Sequence, residues 1–371
     1  MAKYLAKQGH VVDYYFVANL LHDRRGTSGF EYPKAKRTLG NHQLSREEAP
    51  EIIDYMEGLP VRIFLSRIVH HDRYPWLNKM LMRLNMLQVK HRHYDAINIV
   101  GQISWIMEAH RVLKDENLIH TFHELGSHDG PLQPKPIVQA AISDGSKVIL
   151  HSAATYQRFL TIPGADPAKT TMIPFGKFET LPLYVKHQEV ALPFKDLSKP
   201  LLLFYGYILP YKGLDVLAEA MKQLQSDWDK FNLVIAGNGS DPTLPFFQSL
   251  PNAHVINRFL SNDEMMNLIR QSSIILLPYH TASQTGIIPT CTLYGKPFIA
   301  TRVGAFPESL RDGYNGLLVD PNDPVAFAEA MHRVITDASL LATLSEGASQ
   351  YGNGDAFDWE QIAEKTIKFF K

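Results

Sequence analysis

A chain of 371 residues exceeds what one core usually organises, since domains most often run to about 100–200 residues, so two domains are expected. With 45% hydrophobic and 11% aromatic residues, and 37 basic against 38 acidic side chains, the composition is that of an ordinary globular protein without the basic excess of a nucleic-acid binder. The single cysteine, Cys291, excludes an internal disulfide framework and a cysteine-rich zinc site and fits a reducing compartment, so the cytoplasm is expected.

The opening segment, MAKYLAKQGHVV, has neither the long apolar core nor the small-residue cleavage site of a signal peptide. No uninterrupted apolar run is long enough to span a bilayer. Met1 to Gly9 reads as the end of a helix feeding the strand HVVDYYF, with no strand before that helix. The first strand of a doubly wound sheet is normally central, so the pattern predicts a chain lacking roughly one strand and a turn upstream. Further strand candidates follow in VRIFL, YDAINIVG, NLIHTFHE and SKVILHS, with a helical stretch from Trp105 to Leu113. Together they predict a first doubly wound domain.

Three parts of this half carry chemistry. Arg67 to His93 mixes apolar residues at helical spacing with a basic face, which suits either a core helix or peripheral contact with an anionic membrane surface. HTFHELGSHDG joins a strand end to a polar loop holding His123, Glu124, His128 and Asp129, and histidine near neutral pH serves as acid, base or donor. The spacing of these four fits no standard ligand pattern, so no metal is expected. His151, in KVILHSAATY, also follows a strand and is either structural or on the acceptor side, as is His128. Proline and polar residues thicken between Pro174 and Pro200, which places the linker there.

From Leu201 the alternation sharpens: LLLFYGYI, LDVLAEAMKQL, FNLVIAG, AHVINRFL, SIILLPY, KPFIATRV and GLLVDP predict parallel strands joined by crossover helices. Ser261 with Glu264 forms a capping box, and Asp323-Pro324 marks another helix start. Lys212, in the turn ILPYKG after the first of these strands, sits at a carboxyl strand end, where open sheets bind ligands and where an ammonium meets phosphate. Later in the chain, a polar loop with Ser283, Gln284 and Thr285 leads into a helix opening near Gly286. The free N–H groups of Gly286, Ile287 and Ile288 favour an anion there, and Pro289 costs nothing in a first turn.

The ordered set GYILPYKGLDVLAEAM, VIAGNGSD, INRFLSNDEMMNLIRQSSIILLPY, SQTGIIPTCTLYGKPFIATRVGAFPE and DGYNGLLVDPND resembles the C-terminal domain of family 4 retaining glycosyltransferases, also called glycosyl transferases group 1, of GT-B fold. The likeness runs from Gly206 to Asp323, and the closing FDWEQIAEKTIKFF resembles the helix that crosses back onto the N-terminal domain in such enzymes. It implies two Rossmann-like α/β domains facing across a cleft: residues 1–185 for the acceptor, 186–355 for the nucleotide-sugar, and a returning helix over 356–371. It also implies donor diphosphate contacts from Gly206 and Lys212, and phosphate and sugar contacts from Ser283, Gln284, Thr285, Gly286, Ile287 and Thr290. Asn257 to Leu260, with Arg258 and Phe259, would frame the base. His123 would face the donor sugar as a catalytic residue beside Lys212. No cofactor is implied, because the nucleotide-sugar is itself a substrate.

This sequence departs from the family in two places. The two glutamates that many members carry, separated by seven residues, fall on Ala282 and Thr290, so neither carboxylate is present, and the loop resembles a branch with Ser-Gln-Ser/Thr-Gly. The arginine that often accompanies the lysine is replaced by Tyr207 and Leu209. The expected function is transfer of a hexose-type sugar, with retention, from a nucleoside diphosphate donor to a glycan or lipid-linked acceptor. A nucleotide-sugar isomerase and a non-catalytic nucleotide-sugar-binding protein are the alternatives. A dinucleotide dehydrogenase is disfavoured because no Gly-x-Gly-x-x-Gly turn follows a strand.

Overall fold

The computed structural model describes residues 1–371 except 20–37, 70–73, 102–105, 127–131, 185–189, 284–285 and 355–356. The chain divides into two units: Met1–Tyr184 with Asp358–Lys371, and Val185–Phe357.

The N-terminal unit runs α1 (Ala2–Lys7), β1 (Val12–Asn19), β2 (Asn41–Gln43), α2 (Pro50–Tyr55), β3 (Val61–Ile68), α3 (Pro75–Lys90), β4 (Ile97–Val100), α4 (Ile106–Leu113), β5 (Leu118–Phe122), α5 (Pro136–Ser143), β6 (Lys147–Leu150), α6 (Ala153–Leu160) and β7 (Thr170–Met172). Proline opens α2, α3 and α5 at a position whose N–H has no helical partner, and the Ser152 hydroxyl caps α6 by accepting from Thr155 N. The described strands form two sheets where one doubly wound sheet was expected. One has the order β1-β3-β2, with β2 antiparallel; the other is wholly parallel, in the order β4-β5-β6-β7. Among the described residues β1 and β4 each pair on one side only, yet Tyr15 and Val17 of β1 and Ile97 and Ile99 of β4 pack on one apolar cluster under α3 and α4.

The C-terminal unit runs β8 (Leu201–Tyr205), α7 (Leu214–Gln223), β9 (Asn232–Ala236), α8 (Leu244–Ser249), β10 (Ala253–Ile256), α9 (Asn262–Gln271), β11 (Ile274–Leu277), α10 (Ile287–Thr292), β12 (Phe298–Thr301), α11 (Phe306–Ser309), β13 (Gly316–Val319), α12 (Pro324–Thr336) and α13 (Ala338–Asn353). Its strands make one parallel six-stranded sheet in the order β10-β9-β8-β11-β12-β13. Every residue of β8, β9, β11 and β12 is buried, as strands covered by helices on both faces must be, which explains their unbroken apolar runs. The Ser261–Glu264 capping box opens α9, and the Asp323 carboxylate accepts from Ala326 N at the start of α12.

The last helix, α14 (Trp359–Phe370), belongs to the N-terminal unit. Asp358 caps it by accepting from the N–H groups of Glu360 and Gln361. Ile362 is buried with Ile119, Ile149 and Ile173, the Trp359 indole N–H donates to Lys177 O at 2.7 Å, and Lys147 Nζ donates to Phe369 O at 2.8 Å. Burial of an isoleucine of this kind contributes about 1.5–3 kcal/mol.

Candidate functional site

In the C-terminal sheet the first strand, β8, lies beside the fourth, β11, and the connections leave them in opposite directions, towards β9 and towards β12. Ligands of doubly wound sheets bind outside the carboxyl ends of two such strands. The segments after them, Gly206–Gly213 and Pro278–Gly286, are the two that sequence reasoning singled out. They touch each other: His280 N donates to Tyr211 O at 2.9 Å, and Gly213, at φ +69°, approaches Pro278 O so closely that a Cβ would sit 1.9 Å from it.

Lys212 ends a single 3-10 turn, Pro210–Lys212, and is 7% exposed. Its Nζ lies 5.2 Å from the centroid of the Tyr279 ring and against Gly206, at φ +115°. Among the described residues it makes no ion pair, and burial lowers its pKa to about 8. A buried ammonium without a counter-charge is costly until an anion arrives, which makes this turn a candidate anion site.

In the second loop, the Tyr279 hydroxyl and Ser283 Oγ are buried without a hydrogen-bond partner among the described residues. Gly304, at φ +50°, packs against Ala282 O, so the backbone of this loop is held by close approach. Gly286 caps α10 through its backbone alone, and Ile287 and Thr290 are buried in that helix. The Thr290 hydroxyl donates to Gly286 O at 2.7 Å, so it serves the helix where a family glutamate would serve the ligand. Gln284 and Thr285 lie outside the described residues. Cys291 is buried, which pushes its thiol up to about 12 and leaves it inert.

At the end of β10, Arg258 is committed to Glu264, with contacts of 3.0 and 2.6 Å that hold the carboxyl down at about 2. The guanidinium expected near a base therefore stabilises the start of α9. Phe259, beside it, is 65% exposed and free to stack.

In the N-terminal unit, His123 and His151 follow β5 and β6 and stack at 4.9 Å between ring centroids. Phe175, just after β7, stands at 5.5 Å from His123 and edge-on at 5.2 Å from His151. No sequence signal singled out Phe175; the strand end before it was the only cue. His151 Nδ1 bonds to Ile173 O at 2.8 Å, and a carbonyl only accepts, so Nδ1 carries the proton. Burial, reinforced by His123, lowers the His151 pKa to about 4, so the ring is neutral and its Nε2, which has no partner, is an acceptor. Burial also lowers the pKa of His123, with Glu124 opposing. His128 lies outside the described residues; among the described residues no group of three His, Cys, Asp or Glu side chains is placed to hold a metal.

Residues 199–337 match the family model of glycosyl transferases group 1. This stretch carries the likeness to the group 1 glycosyltransferases. The chain is 30% identical to an uncharacterized glycosyltransferase of Methanocaldococcus jannaschii over 177 residues, 46% of this chain and 47% of that one. It is 24% identical to the D-inositol 3-phosphate glycosyltransferase of Acidothermus cellulolyticus over 313 residues, 76% of this chain and 66% of that one. The chain thus spans about half and just under two thirds of the lengths of these two relatives. Among solved structures, sucrose-phosphate synthase from Thermosynechococcus elongatus superposes with a TM-score of 0.67 at 18% identity, covering 100% of this chain and 90% of that one. Anabaena HepE in complex with UDP and glucose gives 0.62 at 16%, covering 96% and 98%. The fold is the mixed α/β, parallel-sheet fold of the GT-B glycosyltransferases. Both candidate loops fall inside the matched residues 199–337.

Proposed function

We propose that this chain is a retaining, hexosyl-type glycosyltransferase whose group 1 domain holds a nucleoside diphosphate sugar as donor and whose acceptor is a glycan or lipid-linked hydroxyl. The observation that carries this reading is the unpaired, buried Lys212 ammonium at the switch point between β8 and β11. Charge accumulates on the leaving diphosphate during transfer, and a preorganised cation there lowers the barrier. In this reading Gly206 admits the Lys212 head group, Ser283, Gln284, Thr285 and the Gly286 turn supply neutral donors, and Phe259 offers a face to the base. His123 is the candidate catalytic side chain of the N-terminal unit, with His151 and His128 on the acceptor side. The family resemblance implies front-face attack in which the donor phosphate takes the acceptor proton, so the absent glutamates do not remove a nucleophile. We place the enzyme in the cytoplasm, in keeping with its one buried thiol.

A second reading, a nucleotide-sugar-binding protein without turnover, is favoured by Ala282 and by the Thr290 hydroxyl that turns back to Gly286 O. One panel separates the readings. UDP-, GDP- and ADP-sugars are tested for thermal shift and for release of nucleoside diphosphate, each with and without a mixed glycan acceptor. Acceptor-dependent release supports transfer, an altered sugar without acceptor supports isomerisation, shift without release supports binding alone, and no shift with any donor overturns the site.

A further inference from the structure

Helix α3 is apolar on two opposite sides. Met82, Met86 and Val89 are buried in the cluster shared by β1 and β4, and Leu81 is buried beside them on the helix, which accounts for one side. On the other, Trp76, Met80, Leu84 and Leu87 are exposed at 68, 45, 51 and 44%. At 100° per residue these four fall within about 80° of the helix circumference and lie opposite the buried side. Single exposed apolar residues need no explanation, but a stripe along a whole helix does.

The charges beside the stripe say what covers it. Residues 74–94 contain no aspartate or glutamate, and Lys79, Arg83 and Lys90 form a row along one edge of the stripe. Arg83 pairs with Glu108, but the guanidinium is 58% exposed and the carboxylate 1%, so the acid lies beneath and the cation faces out. Arg92 stands over Asp13 in the same way, at 38% against 1%. Lys90 reaches Glu116 and Asp115 at 3.5 and 3.8 Å near the helix end. An apolar stripe with an aromatic residue at its start, a cationic edge and no carboxylate matches a helix lying in the plane of a lipid interface.

We infer that the outer face of α3 is a docking surface for an anionic lipid bilayer, with Trp76, Met80, Leu84 and Leu87 entering the interface and Lys79 and Arg83 meeting the head groups. This inference concerns the N-terminal unit by itself and stands or falls apart from the proposed transfer reaction. It gives the unit a fixed side towards the membrane, on which a lipid-linked acceptor would be met.

The test is co-sedimentation of the full chain with vesicles of phosphatidylcholine alone and of phosphatidylcholine with an equal share of phosphatidylglycerol. The intact chain should sediment with the anionic vesicles and be released by salt. The double variant Trp76→Ser with Leu84→Ser should lose at least about tenfold in partition. Lys79→Gln should lose about fivefold on anionic vesicles and nothing on neutral ones. All three side chains are exposed, so each variant should keep the circular dichroism and melting of the parent. Failure of the parent to sediment, or equal sedimentation of the double variant, overturns the inference. So does a dimer in sedimentation velocity that the double variant dissolves, because the stripe would then be covered by a second copy of this chain.

Discussion

The Nζ of Lys212 rests where a side chain on Gly206 would have to go: a Cβ built on Gly206 would lie 2.8 Å from it. Glycine at 206 and lysine at 212 are therefore one device, the first giving the space that lets the second reach back over its own strand end. Gly206→Ala should displace the ammonium and also strain a backbone held at φ +115°, a conformation that costs a non-glycine residue about 1–3 kcal/mol. UDP affinity measured calorimetrically should fall, and the C-terminal unit should melt earlier. Unchanged values for both would show that the pair is not coupled.

Lys212→Met separates binding from folding. Charge-assisted hydrogen bonds of a lysine to phosphate are worth about 1.5–3 kcal/mol, so UDP binding should weaken about tenfold or more. The unliganded protein should melt no earlier than the parent, because an unpaired buried ammonium is removed. The pH dependence has a definite sign. The folded pKa, about 8, lies below that of an unfolded lysine, so stability of the unliganded C-terminal unit rises as pH climbs from 8 towards 10.5. UDP affinity runs the other way over the same window, as the ammonium is lost. A flat affinity profile from pH 7 to 10 would contradict the assignment.

The C-terminal half was legible in the sequence because buried parallel strands are written as short unbroken apolar runs, such as LLLFY and NLVIA, and because Ser261 and Asp323 announce helix starts through their side chains. Lys212 could be found by its place after a strand. What it does there could not, since its burial against Gly206 and Tyr279 depends on how two distant turns pack. Arg258 is a second case. Its place near a strand end is legible in the sequence, while its bond to Glu264, which also serves a capping box within the same short segment, is not. In the first half the periodicity located the strands but not their pairing, because β1 and β4 share the apolar cluster under α3 and α4 and, among the described residues, no strand pairing.

His120 gives the N-terminal unit an acid-sensitive core. Asp144 accepts from His110 Nε2 at 2.8 Å, and His110 Nδ1 meets His120 Nε2 at 3.0 Å, so that contact uses one nitrogen of the His120 ring. The other, His120 Nδ1, has no partner among the described residues, and in a charged ring its proton would have nothing to bond. Burial, with His110 adding to it, lowers the His120 pKa to about 3. The unfolded ring titrates near 6.5, so stability is complete above that pH and is lost as pH falls from 6.5 towards 3. His120→Leu should flatten this acid limb of the N-terminal unit's urea midpoint without touching the C-terminal unit. A limb of unchanged steepness would rule His120 out as its source.

Trp359 ties the last helix to the candidate histidines. Its ring packs against Gly176, where a Cβ would lie 2.3 Å from it, and its indole N–H donates to Lys177 O. Phe175 then meets Trp359 edge-on at 6.4 Å on one side and both histidines on the other. Trp359→Ala should cost the N-terminal unit about 3 kcal/mol, the low end for an aromatic truncation because the ring is half-buried. The second consequence is electrostatic. With Phe175 unsupported, water reaches His151, and its pKa should climb from about 4 towards the ordinary histidine value, as followed by the ring-proton shifts in an NMR titration. Phe175→Leu, which leaves the α14 contacts in place, should raise the same pKa with a smaller loss of stability. A His151 that titrates identically in the parent and in both variants would mean that Phe175 is not what keeps it dry, and that α14 only holds the unit together.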